Sequence, residues 1–331
     1  MVNNELKLHA DLFANTIPQV PLRDGFGDAV VEAGQSNEDV VVLSADVSDS
    51  VRVAGFKKQF PERYVEVGVA EQNMAGIAAG LANVGKVPFM AAYAAFSPGR
   101  NWEQIRTTIA LSDLPVKIIG SHGGVSVGPD GATHQAIEDI TLMRVLPNMQ
   151  VIVPCDYEEA RKAVLASVWN NKPTYIRLSR HKTPAITTAE TPFEIGRAEY
   201  FWRSEQPRVA LIAAGPLVYN ALEAAKQLEG DGIGTSVLNL HSVKPMDIVR
   251  VKEAVRDAGA VVSIEEHQIL GGVGGTVAEV LTQNQPVPQE MVALHDHFGQ
   301  SGTAEELLQY YHLTTEAIVE AAKRARSRAD S

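Results

Sequence analysis

The chain has 331 residues, 45% of them hydrophobic and 21% charged. These are the proportions of an ordinary globular protein, at a length that suggests two domains. A net charge of −11 excludes nucleic acid as the main partner, since a phosphate backbone calls for clustered lysine and arginine. The single cysteine excludes an intrachain disulfide framework and makes a reducing cytoplasm the expected location.

The opening run, MVNNELKLHADLF, has neither a basic n-region nor an apolar h-region, so residues 1–20 are expected to be a polar arm rather than a signal peptide. No window of about 18 apolar residues occurs anywhere, and no membrane span is expected. VVVLSA (40–45) and RYVEVG (63–68) read as strands, and the second leads into a helix over 71–83. VPFMAA (87–92), PVKIIG (115–120), QVIVPC (150–155) and TYIRLS (174–179) are further strands, with helices over 99–112, 135–145 and 156–171. Cys155 closes its strand with no histidine nearby and reads as a buried structural thiol.

This alternation implies an α/β fold whose doubly wound parallel sheet, over 21–187, is covered by helices on both faces. Residues 181–207 are rich in Thr, Pro and Glu and break the pattern. They read as a linker with an irregular strand, bounded at 188–207. Strands VALIAAG (209–215), TSVLNL (235–240), AVVSIEE (260–266) and MVALHD (291–296) then build a smaller α/β domain over 208–331. Its last helix is expected to start at a Thr314 or Thr315 cap and to end among basic residues that suit its dipole.

Glu71, in GVAEQNMAGIAAGLANVG, falls where a strand ends and a helix rich in Gly and Ala begins. Open α/β sheets bind ligands at that carboxyl edge, and small residues permit close approach. The plainer explanation is a first-turn glutamate facing the helix dipole. In SHGGVSVGPDGATHQAIED (121–139), His122, Asp130 and His134 lie in a Gly-rich loop between a strand and a helix, where catalytic groups are commonly held. Glu138 and Asp139 read as helix N-terminal charges. AAYAAFSPGRNWEQIR places Tyr93 and Phe96 three apart, followed by Arg100. Arg23 in PLRDGFGDAV precedes the first helix, Ser50 in SADVSDS follows the first strand, and Arg180 in IRLSRH ends another. Arginine suits bidentate phosphate contacts. Two glycine motifs read as simple turns: Gly230-Asp231-Gly232 between helix and strand, and GGVGG (271–275) between strand and helix.

The run E-x-N-M-x-G-I-A-x-G from Glu71 and the D-G-x-T-H-Q loop resemble the transketolase family of thiamine-diphosphate enzymes. The resemblance covers about residues 20–325 but only the rear half of a full transketolase. It implies a pyrimidine-binding domain followed by a transketolase C-terminal domain. It implies that Glu71 hydrogen-bonds N1′ of the aminopyrimidine ring and so makes the 4′-nitrogen a base. Tyr93 and Phe96 would face that ring, with Arg100 where the family often carries a third aromatic. His134 would contact the donor C1 hydroxyl, and Asp130 the hydroxyl on the C2 side. His122 would face the substrate channel near the phosphate, which Arg23, Ser50 and Arg180 would clamp.

The family holds the diphosphate through Mg²⁺ at a GDG motif followed by an asparagine, and no such pair stands in the right context here. The resemblance therefore implies a partner, an N-terminal transketolase subunit carrying the diphosphate and Mg²⁺ site, in an α₂β₂ heterotetramer with a β–β contact. It implies no metal ligands in this chain. The expected activity is transfer of a two-carbon ketol unit between sugar phosphates, as in the pentose phosphate pathway. The alternatives are a deoxyxylulose-phosphate-synthase-like subunit, a 2-oxo acid dehydrogenase E1 β-type subunit, or a catalytically dead homologue.

Overall fold

The computed structural model describes residues 1–331. After an amino-terminal arm, the first half runs β1 (Gln19–Pro21), α1 (Leu22–Ser36), β2 (Val40–Ser44), α2 (Ala54–Gln59), β3 (Tyr64–Glu66), α3 (Glu71–Asn83) and β4 (Val87–Tyr93). It continues through α4 (Trp102–Gln104), β5 (Lys117–Ser121), α5 (Asp139–Arg144), β6 (Gln150–Ile152), α6 (Tyr157–Val168), β7 (Thr174–Arg177) and β8 (Lys182–Pro184). The second half runs β9 (Glu199–Arg203), β10 (Val209–Ala213), α7 (Val218–Gly230), β11 (Thr235–Asn239), β12 (Ser242–Lys244) and α8 (Ile248–Ala258). It ends with β13 (Val261–Gln268), α9 (Val273–Asn284), β14 (Gln289–Leu294), α10 (Ala304–Tyr310) and α11 (Thr315–Ala329).

Strands β2, β5 and β7 are buried along their whole length, as a parallel sheet covered on both faces requires. The larger sheet has seven strands in the order β12-β6-β7-β5-β4-β2-β3, and every pairing is parallel except β12 with β6. The smaller sheet has the order β14-β13-β10-β11-β9, parallel except for β9. The α/β architecture read from the alternation of strands and helices is therefore the one found. Strand β9 lies within the stretch read as a linker with an irregular strand.

The two halves are stitched together. The antiparallel edge strand β12 comes from the second half and closes the first sheet. One core cluster runs through both halves, joining Val151, Val153 and Tyr175 to Leu240, Val243 and Val273.

Three local expectations are corrected. The helix expected over 99–112 shrinks to α4 and continues as π-helical turns over Ile105–Ala110. The Asn101 side chain donates to the Glu71 carbonyl at 2.9 Å and to Ser97 Oγ at 3.2 Å, which holds the preceding residues as turns. The helix expected over 135–145 begins only at Asp139. Ala136 is occupied instead in closing the loop before it, its carbonyl accepting from Gly124 N at 2.7 Å. Arg23 stands in the first turn of α1, not before it.

Candidate active site

The parallel strands β2, β4, β5 and β7 all end toward one edge of the sheet, and the candidate residues gather there. Glu71 is the first residue of α3 and is only 3% exposed. Its Oε2 accepts from Arg100 Nη1 at 3.3 Å. Arg100 in turn lies 5.7 Å from the centroid of Phe96. Neither Ser97 nor Pro98 supplies a third ring, and a Cβ on Gly99 would collide with the Ala95 carbonyl. The guanidinium of Arg100 thus spans the gap between carboxylate and aromatic wall.

Tyr93, the last residue of β4, stacks on Phe96 with centroids 6.0 Å apart and on His122 at 3.8 Å. His134 stands edge-on to both aromatic rings, 5.3 Å from Phe96 and 6.1 Å from Tyr93. The two loop histidines thereby meet the aromatic pair although they come from a different strand–helix connection.

His122 is 1% exposed and holds a left-handed φ of 61°. Non-glycine residues adopt that conformation mainly where surrounding structure imposes it, often at functional sites. Its Nε2 lies 3.4 Å from Arg23 Nη1 and its Nδ1 lies 2.8 Å from Ser121 Oγ. Arginine can only donate, so Nε2 must accept and Nδ1 must carry the proton that goes to Ser121. Burial, joined by the charges of Arg23 and Arg180, pushes the His122 pKa down to about 3. The ring is therefore neutral at neutral pH, in agreement with that tautomer.

Arg23 also donates to the Ser50 carbonyl at 2.9 Å, and Arg180 donates to the Val127 carbonyl at 2.7 Å. Burial and then the nearby Arg52 charge lower the Arg23 pKa, and Arg180 adds to that effect. In a chain of net charge −11, this corner concentrates cations. Arg52, whose Nε bonds Asp24 Oδ1 at 2.6 Å, was not among the residues singled out from the sequence. Its neighbours VSDSVR carry no signal that distinguishes it from a surface arginine.

Glu71, Arg100, Phe96, Tyr93, His122 and Arg23 thus form one continuous run of contacts, with His134 against its aromatic middle. Three of the named residues lie outside the run. Arg180 bonds only the Val127 carbonyl. Asp130 is exposed at the loop tip, and Ser50 meets it through its carbonyl rather than its hydroxyl.

The residues set aside as structural have structural partners. Gly232 turns with a φ of 76° between α7 and β11. The amides of Val273 and Gly274, which open α9 in the GGVGG run, are taken by the buried carboxylate of Glu265 at 2.7 and 2.8 Å. Cys155 is fully buried, and burial beside Glu159 and Asp156 raises its thiol pKa. Asp139, read as a helix N-terminal charge, opens α5 but is also a buried ion-pair partner of Arg177 at 2.8 Å. No group of three His, Cys, Asp or Glu side chains is placed to hold a metal ion, and no helix is long and apolar enough to cross a membrane.

Residues 18–185 match the transketolase pyrimidine-binding domain and residues 199–318 match the transketolase C-terminal domain. The chain belongs to the transketolase family, transferases that depend on thiamine diphosphate. It is 41% identical over 300 residues to a putative transketolase C-terminal section of Methanocaldococcus jannaschii, spanning 90% of this chain and 93% of that protein. It is 39% identical over 301 residues to the 6-deoxy-6-sulfo-D-fructose transketolase subunit SqwH of Clostridium sp. (strain MSTE9), spanning 91% and 93%. Among solved structures it resembles a split gene transketolase, an inactive beta4 tetramer, with a TM-score of 0.87 and 44% identity over 94% of this chain and 99% of that one.

Proposed function

We propose that this chain is the pyrimidine-binding subunit of a split transketolase. It would transfer a two-carbon ketol unit from a ketose phosphate to an aldose phosphate, together with an N-terminal subunit. The observation that carries the reading is the unbroken run from the buried Glu71 carboxylate, across the Phe96–Tyr93 stack, to His122 and Arg23. Its two ends suit two different chemistries, a basic ring nitrogen at the carboxylate and an anion at the arginines.

The residues present fit a pyrimidine. Glu71 offers a carboxylate that is only 3% exposed, beside two parallel aromatic faces. A flat heteroaromatic ring stacks well on such faces. Thiamine diphosphate supplies, when bound, the thiazolium carbon that cleaves and re-forms the carbon–carbon bond. Glu71 holds the proton at the pyrimidine N1′, which a carboxylate shielded from water does without a competing solvent acceptor. Tyr93 and Phe96 orient the ring. His134, edge-on to both, reaches toward the donor C1 hydroxyl, and Asp130 at the loop tip toward the hydroxyl on the C2 side. His122 is neutral, so Arg23 and Arg180, with Arg52 behind them, supply the charge that binds the anionic end of the sugar. Ser50 completes that end.

The diphosphate and Mg²⁺ would be held by the N-terminal subunit, in an α₂β₂ heterotetramer with a β–β contact. Relatives named as a C-terminal section and as a subunit support that division. The arginine corner favours a sugar phosphate over the small carboxylates of 2-oxo acid dehydrogenases. A sulfonate is a second possible anion, because one relative is named for a 6-deoxy-6-sulfo sugar; donor profiling with xylulose 5-phosphate and the sulfo sugar separates the two.

The test is the Glu71→Gln chain assembled with the N-terminal subunit. Ketol transfer is expected to fall by at least about a hundredfold, the scale of a lost acid–base group, with unchanged thermal unfolding. Turnover like that of the wild type would remove Glu71 from the chemistry.

A further inference from the structure

The loop that carries His122, Asp130 and His134 is gripped by the second half of the chain. Its neck is closed by a bridge between Gly123 and Ala136 and by the Gly124 amide on the Ala136 carbonyl at 2.7 Å. Inside the neck, the Ser126 amide donates to Glu266 Oε1 at 2.6 Å. Glu266 lies in β13 of the smaller sheet, 2% exposed. The fit is tight: Gly124 has a φ of 87°, and a Cβ there would collide with the Glu266 carboxylate.

The far side of the same loop is held as well. Gln135 Nε2 donates to the Val125 carbonyl at 3.1 Å and to the Gln300 carbonyl at 3.0 Å, so one amide bridges the loop and the smaller domain. The base of the grip is fixed by Arg177, whose Nη2 donates to the Glu266 carbonyl at 2.9 Å and to the Ala136 carbonyl at 3.1 Å.

The charge of the Glu266 carboxylate is balanced by the nearby Arg177 guanidinium. Its one hydrogen bond, however, goes to a backbone amide of the loop and its second oxygen has no hydrogen-bond partner, so it is not built as a full ion pair for stability alone. A short charge-assisted bond does fix the position of the amide it holds. We propose that Glu266 is a positioning residue for the donor-sugar site, setting the loop that bears the two histidines from the neighbouring domain. The smaller domain then acts as the mould for the substrate loop, although its own side chains do not enter the run of candidate catalytic residues. This rests on the reading of that loop as the donor site.

Two readouts test it. In the free chain, hydrogen exchange at the Ser126 amide and through 122–136 is expected to rise at least about tenfold in Glu266→Ala, the scale of one lost charge-assisted hydrogen bond. Glu266→Gln, which keeps an acceptor but not the charge, should fall between the wild type and the alanine variant, and exchange in β10 and β13 should not change. If the alanine variant does not fold, Glu266→Asp withdraws the acceptor by one methylene and should loosen the same loop. Assembled with the N-terminal subunit, Glu266→Ala should raise the KM for the ketose phosphate and lower kcat, leave the KM for thiamine diphosphate unchanged, and be partly rescued in Glu266→Gln. Unchanged exchange at Ser126, or equal losses for the alanine and glutamine variants, overturns the proposal. A loop that loosens in a complex whose wild type shows no ketol transfer would instead overturn the reading of the site and leave the brace as structure only.

Discussion

His122 shows how much of this site is decided by single side chains. A histidine in a Gly-rich loop reads from the sequence only as a titratable group. In the structure its neighbours fix its protonation, because Arg23 has nothing but donors to offer Nε2. The consequence appears in stability. The ring of the unfolded chain takes up a proton below about pH 6.5, while the folded ring stays neutral to about 3. Over that window the unfolded state binds more protons. The stabilisation is therefore complete above pH 6.5 and is lost as the pH falls toward 3. His241, pushed down to about 4 by burial, acts in the same direction. Denaturant melts of His122→Asn between pH 7 and pH 4 are expected to show a shallower loss of stability than the wild type. An identical slope would mean that the folded ring titrates normally.

Between elements, the most consequential link is one the sequence does not announce. Asp139 Oδ2 accepts from Arg177 Nε at 2.8 Å and from Tyr175 OH at 2.6 Å, all three groups buried. This joins the start of α5 to β7 directly behind the loop that carries His122 and His134. Removing one member of a buried ion pair leaves the other uncompensated, so Asp139→Ala should lower unfolding free energy by about 3–5 kcal/mol. A urea melt measures this, and a loss under about 1 kcal/mol would mean that the pair does not hold these elements together.

The same link marks where sequence reading stops. The Glu71 helix, the β-branched strands and the His122–His134 loop were legible because each is a local pattern: a period, a run of small residues or a cluster of turn formers. The partners that give those residues their meaning are distant in sequence and leave no local trace. They include Arg100 on Glu71, Arg177 on Asp139, Glu266 on Ser126, and β12 crossing from the second half into the first sheet. The misjudged helix ends, at 99–101 and 135–138, are likewise places where a side chain or carbonyl is committed elsewhere. Helical propensity there is overridden by tertiary contacts.

For the molecule as a whole, the edge that carries the candidate site leaves a polar and small-residue helix face open beside it. Glu71 is buried, yet Val69 before it and Gln72, Asn73, Gly76 and Gly80 along α3 are exposed, with open space beyond the two glycines. The proposed β–β contact and the N-terminal subunit would close this face and exclude water from the run between carboxylate and arginines. In a chain of negative net charge, the arginine corner stands out as a local concentration of positive charge, where the proposed anionic sugar would bind.

The most direct test is reconstitution. Ketol transfer from xylulose 5-phosphate to an aldose phosphate should be measured with this chain alone, with an N-terminal transketolase subunit alone, and with both, in the presence of thiamine diphosphate and Mg²⁺. The account predicts no turnover from either chain alone and cofactor-dependent turnover from the pair. Full turnover by this chain alone, or none from the assembled pair with any sugar-phosphate or sulfo-sugar donor, would contradict it.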